Sequence, residues 1–211
     1  VCAASGPIRR SDGNPVNRAR LFAPDGTHGH QDKLITARFE REDWGIARGD
    51  MLRVFDTAIG RMGILMGYDA EFPLLARAMA VAGAEILLVP SCTDTARGYG
   101  RVRIGAMARA LENQCVVVHA PAVGEAHWLP AASKNHGAAA IYAPPDVGLP
   151  EDGVIVSGKS GVAGWVYGDV ALADLRQIRA GGTVLTFRDW ADQPAAVAEV
   201  EVQALGIHAE A

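Results

Sequence analysis

Residues 63–90 read GILMGYDAEFPLLARAMAVAGAEILLVP. The stretch is entered by residues 61–66, an apolar run of strand length, which a tight turn at Ile59-Gly60 joins to a second strand-like run over 52–57. Within residues 72–82, Leu75, Ala78, Met79 and Ala82 recur at i, i+3, i+4 and i+7, which predicts a helix with one apolar face. Gly83 supplies its stop. Residues 85–90 are continuously apolar, as expected of a strand buried on both faces. The whole stretch is therefore strand, sharp turn, helix, strand. A residue on such a turn projects above the sheet edge, and the free N–H groups of the starting helix point at whatever binds there. A nucleophile on the turn gains an oxyanion site from its own neighbourhood.

Upstream, residues 1–5 and 18–23 are strand-like, the second closed by Pro24-Asp25-Gly26. Residues 27–49 are polar and irregular, a connection long enough to suggest function. Downstream, residues 99–113 predict a helix with Ile104, Met107, Ala108 and Leu111 on its apolar stripe. Residues 115–120 are another buried strand. Residues 138–142, 154–157 and 165–170 are shorter strands, 173–180 a short helix, and 183–187 an extended segment. Residues 197–205 fit a strand or a helix equally. Strands alternating with helices imply an α/β fold, with sites gathered at the carboxyl ends of strands. That rule points to 66–69, 90–94 and 120–124.

The chain's 211 residues suit one domain, incomplete at its N-terminus and unassigned after about residue 189. It begins at Val1, inside a strand-like run and without a leader, which suggests that the natural start lies upstream. Apolar residues at 49% allow a sizeable core, and no stretch approaches the length that crosses a bilayer. A net charge of −4 without basic runs argues against nucleic acid. Three scattered cysteines, Cys2, Cys92 and Cys115, do not form a disulfide framework and suggest the cytoplasm. No GxGxxG or P-loop pattern is present, so no nucleotide or other cofactor is expected.

Three motifs in order give these patterns a family. Tyr68-Asp69, Phe72-Pro73, Arg77, Gly83-Ala84 and residues 86–90 match the nucleophile segment of the nitrilase superfamily of carbon–nitrogen hydrolases. Residues 21–26 followed by Gln31-Asp32-Lys33 resemble its hairpin and catalytic-lysine segment, and residues 107–113 its Arg-Ala-x-Glu-Asn helix. Gly67 falls on the family's cysteine, and Leu74 stands where an acidic residue is usual. The resemblance implies a four-layer α-β-β-α sandwich, here lacking its first strand-helix-strand unit, which would carry the general-base glutamate. It implies Lys33 as the catalytic lysine, Glu40 (with Glu42 as alternate) as the second glutamate, and the Tyr68 backbone N–H as an oxyanion donor. Asp69, read as a helix cap, Cys92 and Thr93 are expected to border the pocket. The implied substrate is a small amide or nitrile, and the implied assembly a homodimer or higher homo-oligomer.

Three functions follow from these residues. The first is an amidase-type hydrolase whose own chain lacks normal activity. The second is a ligand-binding or assembly homologue that keeps the pocket. The third is a hydrolase using Cys92, or a metal at His28 and His30. Cys92 has no sequence-adjacent base to activate it, and two histidines on a glycine-containing loop do not make a zinc site, so no metal is expected.

Overall fold

The computed structural model describes residues 1–129, 132–197 and 199–203. The elements in chain order are β1 (Cys2–Arg9), β2 (Pro15–Phe22), β3 (His28–Asp32), α1 (Arg38–Glu42), β4 (Val54–Thr57), β5 (Gly60–Ile64), a 3-10 turn (Gly67–Glu71), α2 (Pro73–Val81), β6 (Ile86–Ser91), α3 (Ala96–Asn113) and β7 (Val116–Pro121). The short pair β8 (Gly124–Glu125) and β9 (Lys134–Asn135), then β10 (Ala140–Tyr142), β11 (Val154–Ser157), α4 (Leu172–Gly181), α5 (Thr186–Asp189) and α6 (Gln193–Ala196) complete the described strands and α-helices. Strands β1-β2-β3 form one antiparallel sheet. A six-stranded sheet runs β11-β10-β7-β6-β5-β4, parallel at its centre through β5, β6 and β7.

Two cores hold these layers together. Alternation along β5 and its continuation sends Ile64 and Met66 to one face and Leu65 to the other. Ile64 and Met66 meet Ala19, Leu21 and Cys2 of the small sheet. Leu65, Leu87, Val89 and Val117 meet Ala76, Met79, Val102, Ala106 and Ala110 of α2 and α3. The result is sheet on sheet on helices, three layers of the implied four-layer sandwich. Cys115 is packed in the second core, and burial pushes its thiol up to about 12, where it carries no nucleophile.

Several sequence expectations are corrected. The irregular stretch 27–49 contains β3 and α1. β3 reads HGHQD and shows no apolar alternation, because polar groups fix it. Buried Gln31 donates Nε2 to Asp32 O and Met51 O, both at 2.8 Å, and accepts from Arg53 N at 2.8 Å. The helix faces also differ. α2 buries Ala76, Met79 and Ala80 while Ala78 and Ala82 are exposed. α3 buries Val102, Gly105, Ala106, Arg109, Ala110 and Asn113, leaving Ile104 68% and Leu111 45% exposed. Small residues win the inner face of α3 because the helix lies very close to the 3-10 turn. A Cβ on Gly105 would sit 2.8 Å from the Ala70 carbonyl oxygen. Gly105→Ala is therefore expected to lower unfolding free energy by about 1–2 kcal/mol in urea titration, the overlap with backbone outweighing the gain in helix propensity.

Residues 165–170 form no strand: Trp165 and Tyr167 face solvent, while Val166 lies beside Gly158, just after β11, and Gly168 lies against Ile141 of β10 and Ile155 and Val156 of β11. The segment 183–187 turns into α5 instead of staying extended. In the tail 197–205, residue 197 is a turn and 199–203 are irregular, while 198 and 204–205 lie outside the described residues.

Candidate active site

The site grows from the ends of two sheets. Lys33 directly follows β3, and α1 begins a few residues later. Within α1, Glu40 stands at the third helical position and reaches back to accept from Ala37 N at 2.6 Å, the carboxylate half of a capping box. The same oxygen, Oε2, accepts from Lys33 Nζ at 2.6 Å. The other, Oε1, accepts from Asn17 Nδ2 at 3.0 Å. Lys33 and Glu40 are both buried, at 7% and 2% exposure. A buried ion pair is tolerated only when further hydrogen bonds complete it, and here Asn17 and Ala37 do so.

Asp69 ties this pair to the strand–turn–helix. Its carboxylate accepts from Ile35 N at 2.7 Å and Leu34 N at 3.2 Å, the two residues following Lys33. It makes no side-chain cap to the 3-10 turn on which it sits, so the helix-cap reading is corrected to a clamp on the lysine segment. Burial raises Asp69 to about 6, opposed by those two N–H groups and by the Lys33 charge.

Gly67 opens the 3-10 turn with φ +48°, in the left-handed region. The space beside it is open: a Cβ there would meet only Ser91 Cβ at 3.6 Å and Ser91 Cα at 3.8 Å, ordinary contact distances. Tyr68 N–H, second in the turn, donates to no protein acceptor among the described residues. The Tyr68 ring stands edge-on to Phe72, with centroids 4.9 Å apart.

Cys92 and Thr93 directly follow β6. Cys92 Sγ donates to Asn135 Oδ1 at 2.9 Å, and Thr93 Oγ1 donates to His136 O at 2.9 Å, so together they fasten the end of β9 and the residue after it to the site's rim. Burial pushes the Cys92 thiol up, with the Lys33 charge pulling it down and Asp94 and Glu40 pushing it up. The structure thus gathers Lys33, Glu40, Asp69 and the Gly67 turn, with Cys92 within range of the lysine–glutamate charges. Glu42 is exposed and pairs with Arg38 at 2.8 Å, away from Lys33, so the alternate is set aside by geometry. The described residues hold no group of three or more His, Cys, Asp or Glu side chains arranged to hold a metal ion.

Three polar residues of this neighbourhood are not legible in the sequence motifs. Asn17 is one position in a strand-like run, and Ser91 follows the proline that ends an apolar strand. His119 carries the one signal that could have been followed: a histidine inside the apolar run CVVVHAP, buried at 1% exposure and in contact with Ser91.

A sandwich whose buried lysine–glutamate pair is clamped to a strand–turn–helix belongs to the architecture of the nitrilase superfamily. The family model described as carbon–nitrogen hydrolase matches residues 1–180, and the chain belongs to that family. It is 40% identical over 178 residues to the probable hydrolase YhcX of Bacillus subtilis (strain 168), covering 84% of this chain and 35% of that protein. It is 43% identical over 92 residues to the deaminated glutathione amidase of Yersinia enterocolitica, covering 44% of this chain and 32% of that protein. The chain thus spans about a third of the length of these curated relatives. Among solved structures, the carbon–nitrogen hydrolase of Helicobacter pylori G27 superposes with a TM-score of 0.68 at 21% identity, over 84% of this chain and 63% of that one. XC1258 of Xanthomonas campestris, a CN-hydrolase superfamily protein, gives 0.68 at 22% identity over 96% and 70%. At that identity the likeness speaks for the fold.

Proposed function

We propose that this chain builds the binding site of a carbon–nitrogen hydrolase for a small amide, or nitrile, with its nucleophile position vacant at Gly67. One observation carries the reading: the buried Lys33–Glu40 pair is clamped by Asp69 to the very turn on which Gly67 sits. In a complete site of this kind a cysteine thiolate attacks the carbonyl or nitrile carbon, and water later cleaves the thioester. Lys33 and the Tyr68 N–H are the donors for the charge that develops on the carbonyl oxygen or nitrile nitrogen during attack. Glu40, its oxygens occupied by three donors, fixes Lys33 and is a positioning residue. Glycine supplies no attacking atom, so binding survives and the covalent step does not. Cys92 is a poor substitute: it is exposed at the rim, its thiol donates to the neutral Asn135 amide, and among the described residues no histidine is hydrogen-bonded to it.

The amide preference draws on relatives: the Yersinia enterocolitica protein is named an amidase, and a structural neighbour, a mutant of the amidase from Nesterenkonia sp. AN1, is solved in complex with butyramide. The reading includes self-association through the outer faces of α2 and α3, where Leu74, Val81, Ile104 and Leu111 are exposed, and a cytoplasmic setting, for which the three free cysteines speak. No described helix is long and apolar enough to cross a membrane.

The test is Gly67→Cys in the complete gene product. The unaltered protein is expected to release no ammonia from butyramide, and the cysteine variant to release it at least about a thousandfold faster than background, the scale on which a triad nucleophile acts. Turnover by the unaltered protein that vanishes on Cys92→Ala would overturn the reading.

A further inference from the structure

We infer that Asn17 is a further positioning residue of the site: from one place on β2 it holds both members of the Lys33–Glu40 pair, and the pair's grip on an amide depends on its side chain. The inference rests on the amide-site reading and adds to it a residue outside the family motifs. Asn17 lies near the start of β2, where one edge of the strand changes partners. Asp32, the last residue of β3, pairs with Arg18. One step on, Lys33 N–H donates to the Asn17 carbonyl at 2.9 Å, and the chain leaves the sheet to form α1. It then returns to the same strand. Ala47 N–H donates to the Pro15 carbonyl at 2.8 Å, and Ala47 bridges Val16. Residues 33–47 are thus a loop whose two ends are fastened side by side on residues 15–17. Gly49 N–H donates to the Lys33 carbonyl at 2.7 Å, so both backbone groups of the lysine are fixed.

The side chain of Asn17 reaches the middle of this loop. Its Nδ2 donates to Glu40 Oε1 at 3.0 Å. A carboxylate can only accept, so the amide must present its N–H and not its oxygen. Lys33 Nζ and Ala37 N–H both donate to the other oxygen, Oε2, at 2.6 Å. Among the described residues Asn17 is the one donor to Oε1. The terminal torsion of a glutamate is broad and roughly two-fold, so a donor on each oxygen is what sets its angle. Turning the carboxylate moves Oε2, and the ammonium moves with it. Lys33 has a flexible four-carbon stem, and Glu40 is the one partner of its Nζ among the described residues. The place of the ammonium therefore follows Oε2, and Oε2 follows Asn17. A donor that is to meet a carbonyl has to be held to about half an ångström by the groups behind it.

Two variants of the complete gene product test this. Asn17→Ala and Asn17→Leu both keep the backbone carbonyl that accepts from Lys33 N–H, so the register of β2 against β3 is retained. Both lose the N–H to Glu40, and leucine still fills the space. Butyramide titration followed by amide chemical shifts is expected to give about a tenfold weaker Kd in both, the lower end of what an outer partner of a site residue contributes. The Lys33 ammonium, followed by nitrogen–proton NMR, is expected to exchange its protons with water at least about tenfold faster in both, the scale of one lost hydrogen bond to a charged group. A residue that merely packs would lose affinity as alanine and keep it as leucine. A leucine variant with the parental Kd therefore overturns the inference while the amide site stands. If the unaltered protein shows no butyramide-dependent shifts, the amide reading fails, and the ammonium exchange alone decides whether Asn17 holds the pair.

Discussion

Glu40→Ala is expected to lower the unfolding free energy by about 3–5 kcal/mol, the largest effect of any single change in the site. Three donors converge on this carboxylate, from Lys33, Asn17 and Ala37. Removing it strands a buried ammonium and leaves the start of α1 without its cap. The attraction within the pair is not the source of the loss. Most of it is the penalty of an uncompensated charge, so Lys33→Met combined with Glu40→Leu should cost far less than Glu40→Ala alone. Urea titration of the unaltered chain, Lys33→Met, Glu40→Leu and the double variant closes a double-mutant cycle, with Glu40→Ala measured beside it. A loss under about 1 kcal/mol for Glu40→Ala would mean that Lys33 finds water when its partner goes, and that the site is more open than its burial implies.

The second large effect concerns acid. Asp69 rises from 3.8 to about 6 in the folded chain, while His119 falls from 6.5 to about 4, both mainly through burial. At 1.36 kcal/mol per unit, each is linked to stability on the order of 3 kcal/mol. The signs oppose. The folded chain holds the Asp69 proton more tightly, so that contribution is present below about pH 4 and is lost as pH rises through about 6. The unfolded chain holds the His119 proton more tightly, so that contribution is present above about pH 6.5 and is lost as pH falls through about 4. Over pH 4–6 the two nearly cancel. Asp69→Asn should unmask the histidine, giving a protein that weakens steeply on acidification. His119→Gln should unmask the carboxylate, giving one that weakens as pH rises over the same range. Urea midpoints at half-unit pH steps read both slopes. A parental slope retained in Asp69→Asn would show that this carboxylate titrates normally.

The sequence carries the centre of the fold well and its margins poorly, for physical reasons. Residues 63–90 announce strand, turn, helix and strand because large apolar side chains mark the period of each element, and all four appear. Lys33 and Glu40 are legible through motif spacing, and the capping box explains why seven residues separate them: a strand end, a short connection and the third position of a new helix. α3 misleads, since apolar periodicity assumes that bulk faces inward. Against the 3-10 turn, Gly105 and Ala106 fit where Ile104 would not. Asp69 reads locally as a cap because its true partners, Leu34 and Ile35, are distant in sequence. Asn17, Ser91 and His119 share that difficulty, since each gains its role from a partner across a sheet or loop.

The left-handed backbone at Gly67 also sets which residues the turn accepts most readily. At φ +48° a residue with a Cβ carries a conformational penalty of about 1–2 kcal/mol that glycine escapes. On stability alone the turn therefore favours the glycine it holds, and any side chain placed there, whatever chemistry it brings, starts from that deficit.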